Sequence, residues 1–136
     1  MECILYPDHY NIIYKISFLS MGSSLYAAYN GYYILSMCPG GVFLTSITYW
    51  VYPDYSWRRY LDMTYVYFAL IYQLYKAWWA QYRTPYYVLT LVAVSMYPLG
   101  VYYYERKRFW HSTYTHCALH IIANIANVVL YSGQIA

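Results

Sequence analysis

The sequence predicts an all-α protein, a polytopic bundle of about five transmembrane helices. Three observations lead there. Only 10% of the 136 residues are charged and 62% are hydrophobic, too few charges to clothe a water-facing surface. The apolar residues fall into pieces near the roughly 20 that a bilayer crossing needs, with turn signals between them. Finally, the 24 tyrosines and 5 tryptophans gather near the ends of those pieces, where amphipathic rings settle among lipid headgroups. The same tyrosines keep mean hydropathy only mildly positive.

The first expected span covers 10–29 and ends at Asn30-Gly31, a strong turn pair. The second, 32–52, contains Pro39-Gly40-Gly41. A ring without an N–H beside two flexible residues predicts a kink or a broken helix there. The polar run YPDYSWRRYLD closes it. A third span covers 61–79 and a fourth 86–104; ERKRFWH then leads into a fifth at 113–131. No shift in composition divides the chain, so 1–136 reads as one transmembrane domain. The opening MECILYPDHY places Glu2, Pro7 and Asp8 where a secretory signal has basic residues and an apolar core, so the first helix is expected to act as its own insertion signal.

Alternating passes put Lys15, Arg58, Arg59, Arg106, Lys107 and Arg108 on the N-terminal side and only Lys76 and Arg83 on the other. The excess places the N-terminus in the cytoplasm and the C-terminus across the membrane. The net charge of +3 is spread over short loops without a basic stripe, which points to lipid headgroups and away from nucleic acid. Cys3, Cys38 and Cys117 have no CxxC spacing and suggest neither a disulfide framework nor a zinc ribbon. There is no P-loop, GxGxxG or nucleophile elbow, which argues against nucleotide-driven and dinucleotide chemistry.

The chemistry-bearing residues lie inside the expected spans. On a helix, Thr113, His116, His120, Asn124, Asn127 and Tyr131 fall within a sector of roughly 80°. Such a stripe must face the bundle or a wet cavity, because polar groups facing lipid are costly. It is either a hydrogen-bonded seam between helices or a site that uses the two histidines. Ser46 near the exit of the second span, Asp62 at the entry of the third and the histidine pair of the fifth would lie at one depth. A carboxylate and two imidazoles there could hold zinc and activate water. Alternatively, Asp62 starts a helix and pairs with Arg58 or Arg59.

Ser46-Ile-Thr-Tyr-Trp50, Asp62 and His116-Cys-Ala-Leu-His120 resemble, in that order, the marks of the CREST superfamily of seven-span membrane proteins, which includes alkaline ceramidases and the progestin and adipoQ receptors. The resemblance implies His116 and His120 as zinc ligands, Asp62 as general base or water orienter and Ser46 as a supporting donor. Trp50 stands where the family has its first histidine, and indole offers a metal no lone pair. The chain is also two spans short. Asp62 could replace the missing ligand; His111, about 140° around the helix from His116, would need a non-helical approach. The run PGGVFLTSITYW with SWRRYLDM is also similar to small polytopic proteins of large DNA viruses, which implies a place in a virion's internal membrane or minor capsid layer.

Two functions follow as expectations. The first is a non-catalytic structural or assembly component with no resident cofactor and a filled interior. It would meet membrane or capsid-type proteins through the Arg- and aromatic-rich loops 53–60 and 102–111. The second is a zinc-dependent hydrolase of a lipid amide or ester, with bound Zn2+ and a lateral opening to the bilayer.

Overall fold

A computed structural model describes residues 3–136, so Glu2 of the expected insertion signal lies outside the described residues. Six helices follow in order: α1 (Pro7–Ile16), α2 (Leu19–Tyr29), α3 (Tyr33–Trp50), α4 (Trp57–Ala77), α5 (Arg83–Glu105) and α6 (Phe109–Ser132). The fold is all-helical among the described residues; the one extended contact is an isolated bridge between Ala80 and Ile135. Every apolar piece in the sequence forms helix. Among these helices α5 alone is long and apolar enough to cross a membrane by length and composition.

The first expected span is interrupted between α1 and α2. There the Ser17 hydroxyl donates to Ile13 O at 2.8 Å, and the N–H groups of Phe18, Ser20 and Met21 reach back three residues, to Lys15, Ser17 and Phe18. The turn tightens and the axis is offset. At Asn30-Gly31 the turn forms as its residues predict. Gly31 has φ +84°, a conformation that glycine adopts at little cost.

The break expected at Pro39-Gly40-Gly41 does not occur: α3 runs unbroken through Pro39. The cause lies in its neighbours. Proline removes the N–H that would bond Leu35 O, and the Tyr131 hydroxyl of α6 approaches that carbonyl at 3.5 Å. The next two carbonyls also receive hydroxyls, Ser36 O from Ser24 of α2 at 2.8 Å and Met37 O from Tyr65 of α4 at 2.6 Å. Gly40 and Gly41 let those partners come close. A Cβ on Gly40 would stand 2.8 Å from Ser24 Oγ, and one on Gly41 would overlap the Tyr65 ring.

The ends of the helices gather at two opposite poles. At one, Ile4 N–H donates to Pro53 O and the Tyr104 hydroxyl donates to Ile4 O at 3.0 Å. At the other, Gln81 N–H donates to Gln134 O at 2.7 Å and the Tyr32 hydroxyl donates to Gly133 O at 2.8 Å. Helix α6 lies at the centre, packed against α1, α2 and α5, while α4 packs on α3 and meets α5 only slightly.

Burial is inverted relative to a water-soluble domain. Ser20, Ser23, Thr45, Ser46, Gln73, Thr90, Thr113, His120 and Asn124 are buried, whereas Leu25, Ile34, Leu44, Phe68, Val88 and Leu91 are exposed. The buried apolar residues form two clusters, one around Leu35, Tyr86 and Leu130 and the other around Ile13, Tyr49 and Trp50.

Candidate functional site

The polar face of α6 points inward, as its spacing predicts. Thr113, His120, Asn124 and Tyr131 are buried, with His116 and Asn127 partly so. Each polar group below His120 finds a partner on another helix. Ser23 of α2 donates to Asn124 Oδ1 at 2.6 Å, and Asn124 Nδ2 donates to His120 O at 2.7 Å. Gln73 of α4 donates to Asn127 Oδ1 at 3.0 Å and to the Tyr86 hydroxyl of α5 at 3.5 Å, and its Oε1 accepts from the Tyr131 hydroxyl. Interhelical hydrogen bonds of this kind contribute about 0.6 kcal/mol each in membranes. Gln73 was not singled out in the sequence, although an uncharged amide among apolar residues of a helix is the kind of residue that joins helices.

His116 and His120 are placed one helical turn apart, and their Nε2 atoms meet at 3.1 Å. One imidazole donates while the other accepts, so both can be neutral and share a single hydrogen bond. Trp50, at the end of α3, lies against His116 with ring centroids 4.9 Å apart. It therefore stands beside the histidine pair where the resemblance places a third histidine. His111 does not swing in: it is exposed, with its ring 5.3 Å from Tyr103.

Asp62 is neither at a helix start nor paired with arginine. Helix α4 begins at Trp57, which puts Asp62 in its second turn. Its Oδ1 accepts from Thr45 at 2.8 Å and Ser46 at 3.2 Å. Arg58 instead fastens the α3–α4 turn, donating to Thr48 O at 2.7 Å and Tyr52 O at 2.6 Å and pairing with Asp54 at 3.2 Å. Thr45 is the residue that the sequence reading passed over beside Ser46.

Asp62 and His116 face a common cavity of about 460 Å³, which is also lined by Trp50, Arg59, Tyr97 and Glu105. The cavity is a cleft open on one side, with Met63 and Tyr97 of its lining still exposed. A catalytic zinc site needs three protein ligands and an open position. Among the described residues no three His, Cys, Asp or Glu side chains converge closely enough to hold an ion. The two imidazoles engage each other, Asp62 is engaged by two hydroxyls, and an indole occupies the place of the third donor. The residues present do not fit the zinc centre that the resemblance implies.

The fold and site together define an all-helical bundle with a polar interior and one helix suited to crossing a membrane. No protein-family model matches the chain, and no curated protein or solved structure matches it.

Proposed function

We propose that this chain is an integral membrane protein of about five passes that serves as a non-catalytic structural or assembly component. The observation that carries the reading is the inverted burial: amides, hydroxyls and imidazoles inside, Leu, Ile, Val and Phe outside. In water that arrangement exposes far more contiguous apolar surface than a soluble protein tolerates. In lipid the bilayer takes the apolar surface and the helices supply partners for most of the buried polar groups, with Thr113 Oγ1 and the His9 ring left without one.

The non-catalytic part of the reading is supported by the pairing within the site. Asp62 Oδ1 is taken up by Thr45 and Ser46, and His116 and His120 bond each other. The surface for partners lies at the pole that carries loops 53–60 and 102–111. Arg58 is committed to the turn itself, but Tyr55, Trp57 and Tyr60 are exposed, as are Tyr102 and Trp110 of the other loop. Aromatic residues of this kind anchor protein interfaces. The setting suggested by the sequence resemblance is the internal membrane of a large DNA virus, with the N-terminus on the cytoplasmic side.

The test is metal stoichiometry. The full chain, purified in mild detergent without a histidine tag, is expected to carry far less than one zinc per molecule by elemental mass spectrometry. About one zinc per chain, lost in a His116→Ala/His120→Ala variant, would replace this reading with the lipid hydrolase.

A further inference from the structure

The cavity beside Asp62 and His116 opens sideways, because α4 and α5 are joined at one pole and part toward the other. At the joined end the Tyr87 hydroxyl donates to Leu74 O at 2.8 Å, and Gln73 meets Tyr86. Toward the parted end, α4 and α5 supply facing walls of the cavity. Met63, Tyr97 and Val101 line it and are still 43%, 46% and 38% exposed. The opening therefore faces outward, where the proposed membrane reading puts lipid.

Arg59 on the α4 wall and Glu105 on the α5 wall carry opposite charges. Arg59 is in the first turn of α4 and Glu105 is the last residue of α5, so both stand at the headgroup level of the same pole. Among the described residues no ion pair joins Arg59 to a carboxylate; the one ion pair is Arg58 with Asp54. The Arg59 guanidinium instead lies over the Tyr55 ring at 5.0 Å. The nearest carboxylate on its own helix, Asp62, is held by two hydroxyls. A partly buried cation on one wall and an exposed carboxylate at the rim of the other suit a ligand that carries both signs.

We propose that this cleft binds one zwitterionic phospholipid. Its phosphate is on Arg59, its ammonium lies between Glu105 and the tyrosine rings of the α5 wall, and its chains leave through the gap between α4 and α5. A purely anionic headgroup would bring like charge against Glu105 and Asp62, and an uncharged lipid would leave Arg59 without a counter-charge. The ammonium gains further from aromatic faces such as Tyr97 and Tyr104, which attract cations. The cavity volume of about 460 Å³ falls among ordinary ligand sites. The bound lipid would also supply the packing that the bundle lacks at this level. The inference rests on the membrane reading of the preceding section.

The experiment is native mass spectrometry of the full chain in detergent, after exposure to equimolar dioleoylphosphatidylcholine and dioleoylphosphatidylglycerol. One phosphatidylcholine per chain is expected, retained over phosphatidylglycerol. Arg59→Gln should reduce retention roughly tenfold, the scale of one lost charge-assisted contact. Glu105→Gln should move the preference toward phosphatidylglycerol. Met63→Trp, which narrows the opening while helix content by circular dichroism stays unchanged, should expel the lipid. Equal retention by wild type and Arg59→Gln, or a wild-type preference for phosphatidylglycerol, overturns the proposal. Carbonate washing of membranes separates the two readings. A chain that stays in the pellet yet retains no phosphatidylcholine sinks the lipid site alone, and a chain released by carbonate sinks the membrane reading with it.

Discussion

At the scale of single residues, Gly41 shows how little room the bundle leaves around α3. The Tyr65 ring occupies the space where any other residue would carry its Cβ, and its hydroxyl donates to Met37 O. Gly41→Ala must push that ring away and break the hydrogen bond, at a cost of roughly 1–3 kcal/mol. Thermal unfolding in detergent is expected to show the loss, and Tyr65→Ala in the same chain should cancel most of it. If Gly41→Ala alone is neutral, α3 and α4 are farther apart than described. The histidine pair teaches a related lesson. Its inward direction was legible from spacing along α6, because a polar stripe has one affordable direction in apolar surroundings. That the two rings would bond each other was not legible, since spacing fixes neighbours and leaves the choice of partner to rotamers and to whatever the other helices bring.

At the scale of helices, Pro39 marks the limit of local reasoning. Composition predicts a broken α3, and three hydroxyls from three other helices keep it whole. None of these donors lies within ten residues of the carbonyl it serves, so no window of sequence around Pro39 contains the answer. Restoring the N–H with Pro39→Ala should make Leu35 O independent of Tyr131. In a double-mutant cycle, Tyr131→Phe is then expected to cost less in the Pro39→Ala background by about 0.5 kcal/mol or more. Strict additivity would mean that Tyr131 serves Gln73 alone. The break that the sequence placed in α3 appears instead after Ser17, where a side-chain hydroxyl bonds the preceding turn. Serine is too common in helices for that to be a sequence signal.

The α3–α4 turn carries the pH dependence. The Ser56 side chain and N–H, and then the Arg58 guanidinium, hold the Asp54 carboxyl below its usual range. Because the folded form binds the proton more weakly than the unfolded one, the stabilisation is complete above the unfolded carboxyl's pKa, about 4. It is lost as pH falls through the lower folded value. The difference in thermal midpoint between wild type and Asp54→Asn should therefore be constant above that pH and close as the solution is made more acidic. A difference that persists unchanged into strong acid would show that the turn does not depend on the ionised carboxylate.

At the scale of the whole molecule, the inverted burial follows from features that the sequence displays openly: few charges, many apolar residues and a polar stripe along the segment that forms α6. The all-helical class was legible for that reason. The open cleft between α4 and α5 was not, because it depends on how far two helices part, which neither periodicity nor composition encodes. The bundle's cohesion depends on α6. A chain ending at Arg108 leaves Ser23 and Leu35 without their α6 partners and Gln73 with Tyr86 alone. Such a chain is expected to be digested rapidly in limited proteolysis, and a separately supplied peptide covering 109–136 should restore resistance. Full resistance without the peptide would show that the first five helices hold together by themselves.

The central place of α6 also bears on how the protein is made. A ribosome delivers helices in order, and here the helix that completes the hydrogen bonds of α2, α3 and α4 emerges after all three. The earlier helices cannot settle one after another as they leave the translocation machinery. On the membrane reading proposed above, they wait together, with amides and hydroxyls exposed to lipid, until α6 arrives and threads among them. Throughout that interval the nascent chain carries the polar surface by which membrane quality control recognises unfinished proteins. Its yield in a cell should depend on how quickly α6 is translated.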